Sequence, residues 1–127
     1  FDKAVRENGD DLTVINNYAY YLAEQNKNLK EAEEMAKKVI EIEKENTTYL
    51  DTYAWVLYKR GKLKEAARIM EEIINSGKTP DAEWYEHYGF ILSEQHNCLR
   101  AIENWNNAIR IDSTKTELQE EIRNCGK

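Results

Sequence analysis

Three copies of one apolar phrase, 35 residues apart, run through this chain: Tyr18-Ala19-Tyr20-Tyr21-Leu22, Tyr53-Ala54-Trp55-Val56-Leu57 and Tyr88-Gly89-Phe90-Ile91-Leu92. A second phrase follows each copy by about ten residues: Leu29-Lys30-Glu31-Ala32, Leu63-Lys64-Glu65-Ala66 and the looser Cys98-Leu99-Arg100-Ala101. Two helical phrases per period of 34 to 35 residues cannot bury their apolar faces alone and must stack on neighbours. The pattern predicts an all-α chain built as an α-solenoid of stacked antiparallel helical hairpins. One proline and five glycines in 127 residues favour long helices over sheets.

The punctuation sets the expected boundaries. Helices are predicted over 11–25 and 29–44, 47–60 and 63–76, 80–95 and 98–111, with Gly61 and Asn97 in the tight turns between partners. Thr79 before Pro80 reads as an N-cap followed by proline at the first helical position. Thr114-Lys115-Thr116-Glu117 has the capping-box pattern, and Leu118, Ile122 and Cys125 follow at helical spacing, as in the terminal cap that repeat arrays need. The organisation is therefore a single domain over 1–127. It comprises the end of a preceding repeat (1–10), repeats at 11–46, 47–79 and 80–112, and a capping helix at 113–127.

The register extends backwards as well. Val39, Ile73 and Ala108 each stand seven residues after the alanine of the second phrase, and Ala4 falls 35 residues before Val39. Phe1 to Glu7 thus reads as the last turns of a second helix whose partner lies upstream, with Asn8-Gly9-Asp10 as the turn out of it. On this reading the chain is the C-terminal piece of a longer array. Apolar surface around Phe1, Val5 and Leu12 is expected to be partly uncovered, so a homodimer through the N-terminal face is expected.

These residues resemble tetratricopeptide repeats. Tyr18-Ala19, Tyr53-Ala54 and Tyr88-Gly89 resemble the family's Leu-Gly pair, Ala32, Ala66 and Ala101 its small residue at the helix crossing, Trp105 its second-helix aromatic and Ala108 its last alanine. Val39 and Ile73 depart from that last alanine, and Asn28 looks like a one-residue insertion between the helices of repeat one. The resemblance covers essentially the whole chain and implies a right-handed superhelix that binds protein. The Tyr49 to Trp55 phrase looks like those of bacterial arrays, some of them exported to the cell envelope; compartment stays open between cytoplasm and envelope. Pentatricopeptide repeats, which bind RNA, share the period but need a basic groove. With 24 acidic against 18 basic residues and a net charge of −6, this chain excludes a nucleic-acid partner.

On a helical wheel started at Tyr18, Tyr21 and Leu22 share the apolar stripe and Tyr20 falls opposite. The resemblance implies that this opposite side of the first helices lines a concave peptide groove. The groove residues are then Asn16, Tyr20 and Glu24; Asp51, Trp55, Tyr58 and Lys59; and Glu83, Glu86 and Phe90. Tyr20, Trp55 and Phe90 would form an aromatic row, either a ligand surface flanked by carboxylates that favours basic or apolar peptides, or packing residues that set the curvature. The carboxylate-holding activity of chaperone adaptors does not carry over, because Lys59 is the lone base among these residues.

Catalysis is not expected. Glu83 and His87 share a helix face with Glu86 adjacent, but no third metal ligand converges in the sequence, and the pair reads as solvated; His96 falls in an exposed turn. No phosphate loop or nucleophile motif is present, so no cofactor, metal or catalytic residue is assigned. A mean hydropathy of −0.83 leaves no apolar run long enough to span a membrane. Asn46-Thr47-Thr48 matches a glycosylation acceptor but reads as a helix N-cap, and Glu33–Lys37 and Glu34–Lys38 read as surface pairs. Cys98 and Cys125 lie at the same end of two antiparallel helices, placed for a disulfide in an exported protein and for two thiols in a cytosolic one. The expected function is a non-catalytic docking module. The alternatives are a structural spacer or self-association element, or the docking arm of an upstream enzyme.

Overall fold

The computed structural model describes residues 10–125, which form seven α-helices. They are α1 (Asp10–Glu24), α2 (Leu29–Ile42), α3 (Thr47–Lys59), α4 (Leu63–Ile74), α5 (Ala82–Glu94), α6 (Cys98–Ile111) and α7 (Glu117–Asn124). The partial helix expected over Phe1–Glu7 lies outside the described residues, as do Asn8 and Gly9. Asp10, expected in a turn, is already the first residue of α1. The chain divides into two compact units, Phe1–Ala66 and Ala67–Lys127.

Each predicted turn between first and second helices closes in the same way. Two residues past the helix end the backbone turns left-handed, at Asn26 (φ 53°), Gly61 (φ 81°) and His96 (φ 64°). The next amide then reaches back five residues, from Lys27 to the Leu22 carbonyl, Lys62 to Leu57 and Asn97 to Leu92. These are Schellman closures, and each caps a carbonyl the helix would otherwise strand. Only Gly61 adopts this conformation without a Cβ penalty. The insertion noted at Asn28 appears as an extra left-handed residue (φ 47°) before α2, with no side-chain cap.

Three local expectations are corrected. Pro80 lies before the helix: Asp81 is the N-cap, its carboxylate accepting from the Glu83 amide at 2.9 Å, and α5 begins at Ala82. Aspartate caps at least as well as threonine, and its placement sets the start. The capping box at Thr114 does not form, because Thr114 donates both its amide and its hydroxyl to Asp112. Those bonds, hydroxyl first, hold the Asp112 carboxyl below the usual carboxylate range. Glu33 does not serve its own helix. It accepts instead from Arg60 at 3.0 Å and Lys62 at 2.9 Å, fastening α2 to the turn after α3. Asn46, by contrast, is the N-cap of α3 as predicted, accepting from the Tyr49 amide.

In the first unit α1 and α2 pack as a hairpin and α3 lies against both. The small residues Ala19, Ala32 and Ala36 let the helices approach, and Leu12, Ile15, Val39 and Tyr49 form a core cluster with Met35 and Ile40 against it. Leu12, expected near the uncovered surface, is therefore buried. Tyr49 also shares a 2.9 Å hydrogen bond with Thr13. In the second unit α5 and α6 form the corresponding hairpin, and α7 packs on α6. Gly89 of α5 meets the indole of the fully buried Trp105.

One stripe at spacing i, i+4, i+7 recurs four times in the first helices: Val14–Tyr18–Tyr21, Tyr49–Tyr53–Val56, Trp84–Tyr88–Ile91 and Leu118–Ile122–Cys125. The second and third stripes are at most 9% exposed. Val14, Tyr18 and Tyr21 are 39%, 37% and 54% exposed. The wheel places the Tyr18 side in the core of every repeat; in the first repeat it is open surface, with Tyr18 and Tyr21 stacked at 6.4 Å.

Candidate functional site

The predicted groove residues divide between the two units. In the first, α1 contributes Asn16, Tyr20 and Glu24, and α3 contributes Asp51, Trp55, Tyr58 and Lys59. Asn16 and Asp51 are buried, Tyr20, Tyr58 and Lys59 are half-buried, and Glu24 is exposed. Trp55 departs from the wheel: it is 6% exposed, where the wheel puts it on solvent. Its ring stacks on Tyr58 at 4.7 Å, and the Lys59 ammonium lies 5.2 Å above it. The wheel allows one covered face per helix, whereas α3 is packed on more than one side, so its second aromatic face is core too.

Asn16 is one of the buried polar residues of this unit, with Asp11, Asp51 and Thr52. Its amide nitrogen makes a long 3.5 Å contact with Asn17, while its oxygen, inaccessible to solvent, has no hydrogen-bond donor. A buried acceptor left unpaired costs about 1–3 kcal/mol, so such groups are rare unless a ligand or water satisfies them.

In the second unit the predicted residues are Glu83, Glu86 and Phe90 of α5. Phe90 is half-buried and meets the edge of Trp105 at 5.3 Å, a packing contact inside its own hairpin. Glu86 pairs with Lys115 at 2.8 Å, both side chains being mostly buried. That hydrogen bond, against the opposing effect of burial, raises the Lys115 pKa. Glu83 is exposed, and His87, expected on solvent, is buried.

Two further arrangements lie in the second unit, the first without a sequence signature and the second around the cysteine pair singled out in the sequence. Tyr88 donates to Glu71 at 2.7 Å and accepts from Arg100 at 2.9 Å, with the guanidinium 5.4 Å over the ring. Burial, then the Glu71 carboxylate, pushes the Tyr88 phenol up to about 12. This group borders a cavity of about 260 Å³ lined also by Tyr85, Glu103 and Asn104. The second is a pocket of about 450 Å³ lined by Ser93, His96, Trp105, Glu121, Asn124 and the bonded pair Cys98–Cys125. The bonded cysteines, with α-carbons 5.7 Å apart, close the α6–α7 junction. His96, not Asn97, is the left-handed residue of its turn, and Asn97 caps α6 through the Arg100 amide.

No known family profile matches the chain. Over 80 residues, 63% of its length, it is 29% identical to a TPR repeat-containing protein of Pseudomonas aeruginosa, of which the match spans 13%. In three dimensions it resembles the crystal structure of YrrB, described as a TPR protein with an unusual peptide-binding site. The TM-score is 0.74 at 21% identity, covering 95% of this chain and 61% of that one. The recurring phrases, the three Schellman-closed hairpin turns and this likeness agree on one fold: the chain is an all-α protein of tetratricopeptide-repeat architecture.

Proposed function

We propose that this chain is a non-catalytic protein-interaction scaffold that takes a peptide or protein segment on the side of α1 and α3 carrying Asn16, Tyr20, Tyr58 and Lys59. The observation that carries the reading is the Asn16 carboxamide oxygen, buried with no donor and standing at the place that Asp51 and Glu86 hold in the next repeats. A peptide amide or a basic side chain laid along α1 would satisfy it once the Asn16 side chain turns outward. The half-buried ring of Tyr20 offers apolar contact one turn away, and Glu24 and Asp51 bias the ligand towards basic residues. YrrB, similar in fold, is described as having a peptide-binding site.

The test is selection from a random peptide library on the immobilised protein, followed by affinities for Asn16→Ala and Tyr20→Ala. Enriched peptides should carry Lys or Arg beside apolar residues, and each substitution should weaken binding at least about fivefold with little change in melting temperature. Selection that yields no sequence preference, or affinities indifferent to both substitutions, defeats the reading.

A second reading, self-association, is favoured by the open Val14–Tyr18–Tyr21 stripe. The equivalent stripes of α3 and α5 are at most 9% exposed.

A further inference from the structure

The fourth stripe, Leu118–Ile122–Cys125, is packed less closely than the second and third. Leu118 is fully buried, but Ile122 and Cys125 are only half-buried, and Leu118 is the one buried residue of the eight in α7. At the place held by Val56 and Ile91 in the earlier repeats stands Cys125, bonded to Cys98 at the first position of α6. A covalent bond therefore closes the end of this interface where side-chain packing closes the others.

That bond is also reachable. Both half-buried cysteines line the 450 Å³ pocket, whose wall includes Ser93, His96, Glu121 and Asn124. The Ser93 hydroxyl lies 3.7 Å from the Cys125 sulfur. Structural disulfides sealed in a core are inert to thiols, whereas one that borders an open polar pocket admits a nucleophile in line with the S–S bond.

We propose that Cys98–Cys125 is a thiol–disulfide exchange site whose substrate is a dithiol, and that its reduction releases α7 from α6. One thiol of the substrate, as thiolate, attacks the Cys125 sulfur; a mixed disulfide forms, the Cys98–Cys125 bond breaks, and Cys98 leaves as a thiolate. Cys98 is the leaving group because it opens a 14-residue helix, whose N-terminal amides stabilise an anion there. The second thiol of the substrate loses its proton and attacks its neighbour in the mixed disulfide, expelling the Cys125 thiolate. Two electrons pass from the dithiol, which ends as a disulfide, and two protons end on Cys98 and Cys125. With the bond open, α7 is held by Leu118 and by the Lys115–Glu86 pair before it, and it detaches from its C-terminal end. This inference is independent of peptide binding by α1 and α3.

The experiment uses the whole chain, isolated without reductant. Thiol titration of the unfolded protein should find no free thiol. Dithiothreitol under native conditions should then reduce the bond while the amides of α5 and α6 keep their hydrogen-exchange protection, and the amides of 117–124 should exchange at least about tenfold faster. The double variant Cys98→Ser/Cys125→Ser should give the same exchange pattern without reductant. Two free thiols at the outset, a bond reduced only when the whole unit unfolds, or α7 equally protected after reduction would each overturn the proposal. The reduced wild-type chain is read directly, so the test stands even where the double variant fails to fold.

Discussion

Gly89 lies flat against the indole of Trp105: a methyl group at that glycine would stand within 2.8 Å of the indole Cε2 and closer still to Nε1. In the sequence register the first two repeats carry alanine at this place, Ala19 and Ala54, and the smaller Ala36 and Met70 at the place of Trp105. In the third repeat the volume moves across the crossing, from the first helix to the second. Such exchanges keep a close-packed core filled at constant density.

Gly89→Ala should therefore destabilise the chain although alanine is the better helix former. Overpacking costs about 1–3 kcal/mol against roughly 1 kcal/mol of propensity gained. Urea unfolding should give a lower midpoint for Gly89→Ala, recovered in the double variant Gly89→Ala/Trp105→Leu relative to Trp105→Leu alone. A stabilised single variant would show that the indole can move aside.

Trp55 and Tyr53, on opposite faces of α3, are both buried, so both should behave as core residues. Truncation of either to alanine should cost about 3–5 kcal/mol by loss of burial and cavity formation. Tyr18→Ala, at the exposed equivalent of Tyr53, should cost roughly 1 kcal/mol or less. Thermal unfolding of the three variants orders them. A small loss for Trp55→Ala would return that ring to the ligand surface.

How much of this is legible in the chain follows from what each residue's environment depends on. Helix periods, the Gly61 turn and the Asn46 cap are local, and they can be read because a few neighbouring residues decide them. The burial of Trp55 cannot, since it requires knowing that α3 is covered on more than one side. The exposure of Tyr18 and Tyr21 is hidden for the converse reason: the phrase matches Tyr53 and Tyr88, and only the neighbours differ. Asn97 competes with His96 for the turn because asparagine serves equally well as a left-handed residue and as an N-cap, and the helix start decides which. Of the candidate site, the wheel assigns Asn16 and Tyr20 to one face of α1, but the burial of Asn16 depends on its neighbours and cannot be read from it. The engagement of Glu86 by Lys115 is not legible either, since that partner comes from the connection before α7.

Glu33 ties α2 to the turn after α3 in a pH-dependent way. Burial works to raise its pKa, but the hydrogen bonds from Lys62 and Arg60 overcome it and hold the carboxyl below its ordinary value of 4.5. A depressed folded-state pKa contributes stability that is present above the unfolded value and is lost as pH falls through the folded one. Glu33→Gln should thus be less stable than wild type by roughly 0.5–1 kcal/mol at neutral pH, and the two should converge as pH falls below the ordinary 4.5 and through the lowered folded value. Denaturant midpoints at pH 7 and pH 3 check this. An undiminished gap at pH 3 would assign the effect to packing.

Tyr88 gives the opposite sign. Its phenol, pushed up to about 12 by burial and by Glu71, stays protonated while freely exposed tyrosines ionise near their ordinary value of 10.0. The stability it contributes is complete below pH 10.0 and is lost as pH rises through about 12. Ultraviolet titration of the folded chain should show a late step that Tyr88→Phe removes. A variant that instead loses its amplitude near the ordinary 10.0 would mean that the Glu71–Tyr88–Arg100 chain is open in solution.

The exposed stripe of α1 yields the last prediction. Val14, Tyr18 and Tyr21 have the spacing and apolar character of stripes that in α3 and α5 are at most 9% exposed, and they present two stacked rings to solvent. If self-association uses this face, sedimentation should give a mass that rises with protein concentration. Tyr18→Glu/Tyr21→Glu should hold the chain monomeric, since a carboxylate buried in the contact would lack a partner. Because both positions are exposed in the single chain, the double variant should melt within a few degrees of wild type, which separates lost association from lost folding. Association that survives the two glutamates would move the contact off α1, and a strict monomer at high concentration in wild type would leave the peptide-binding reading alone.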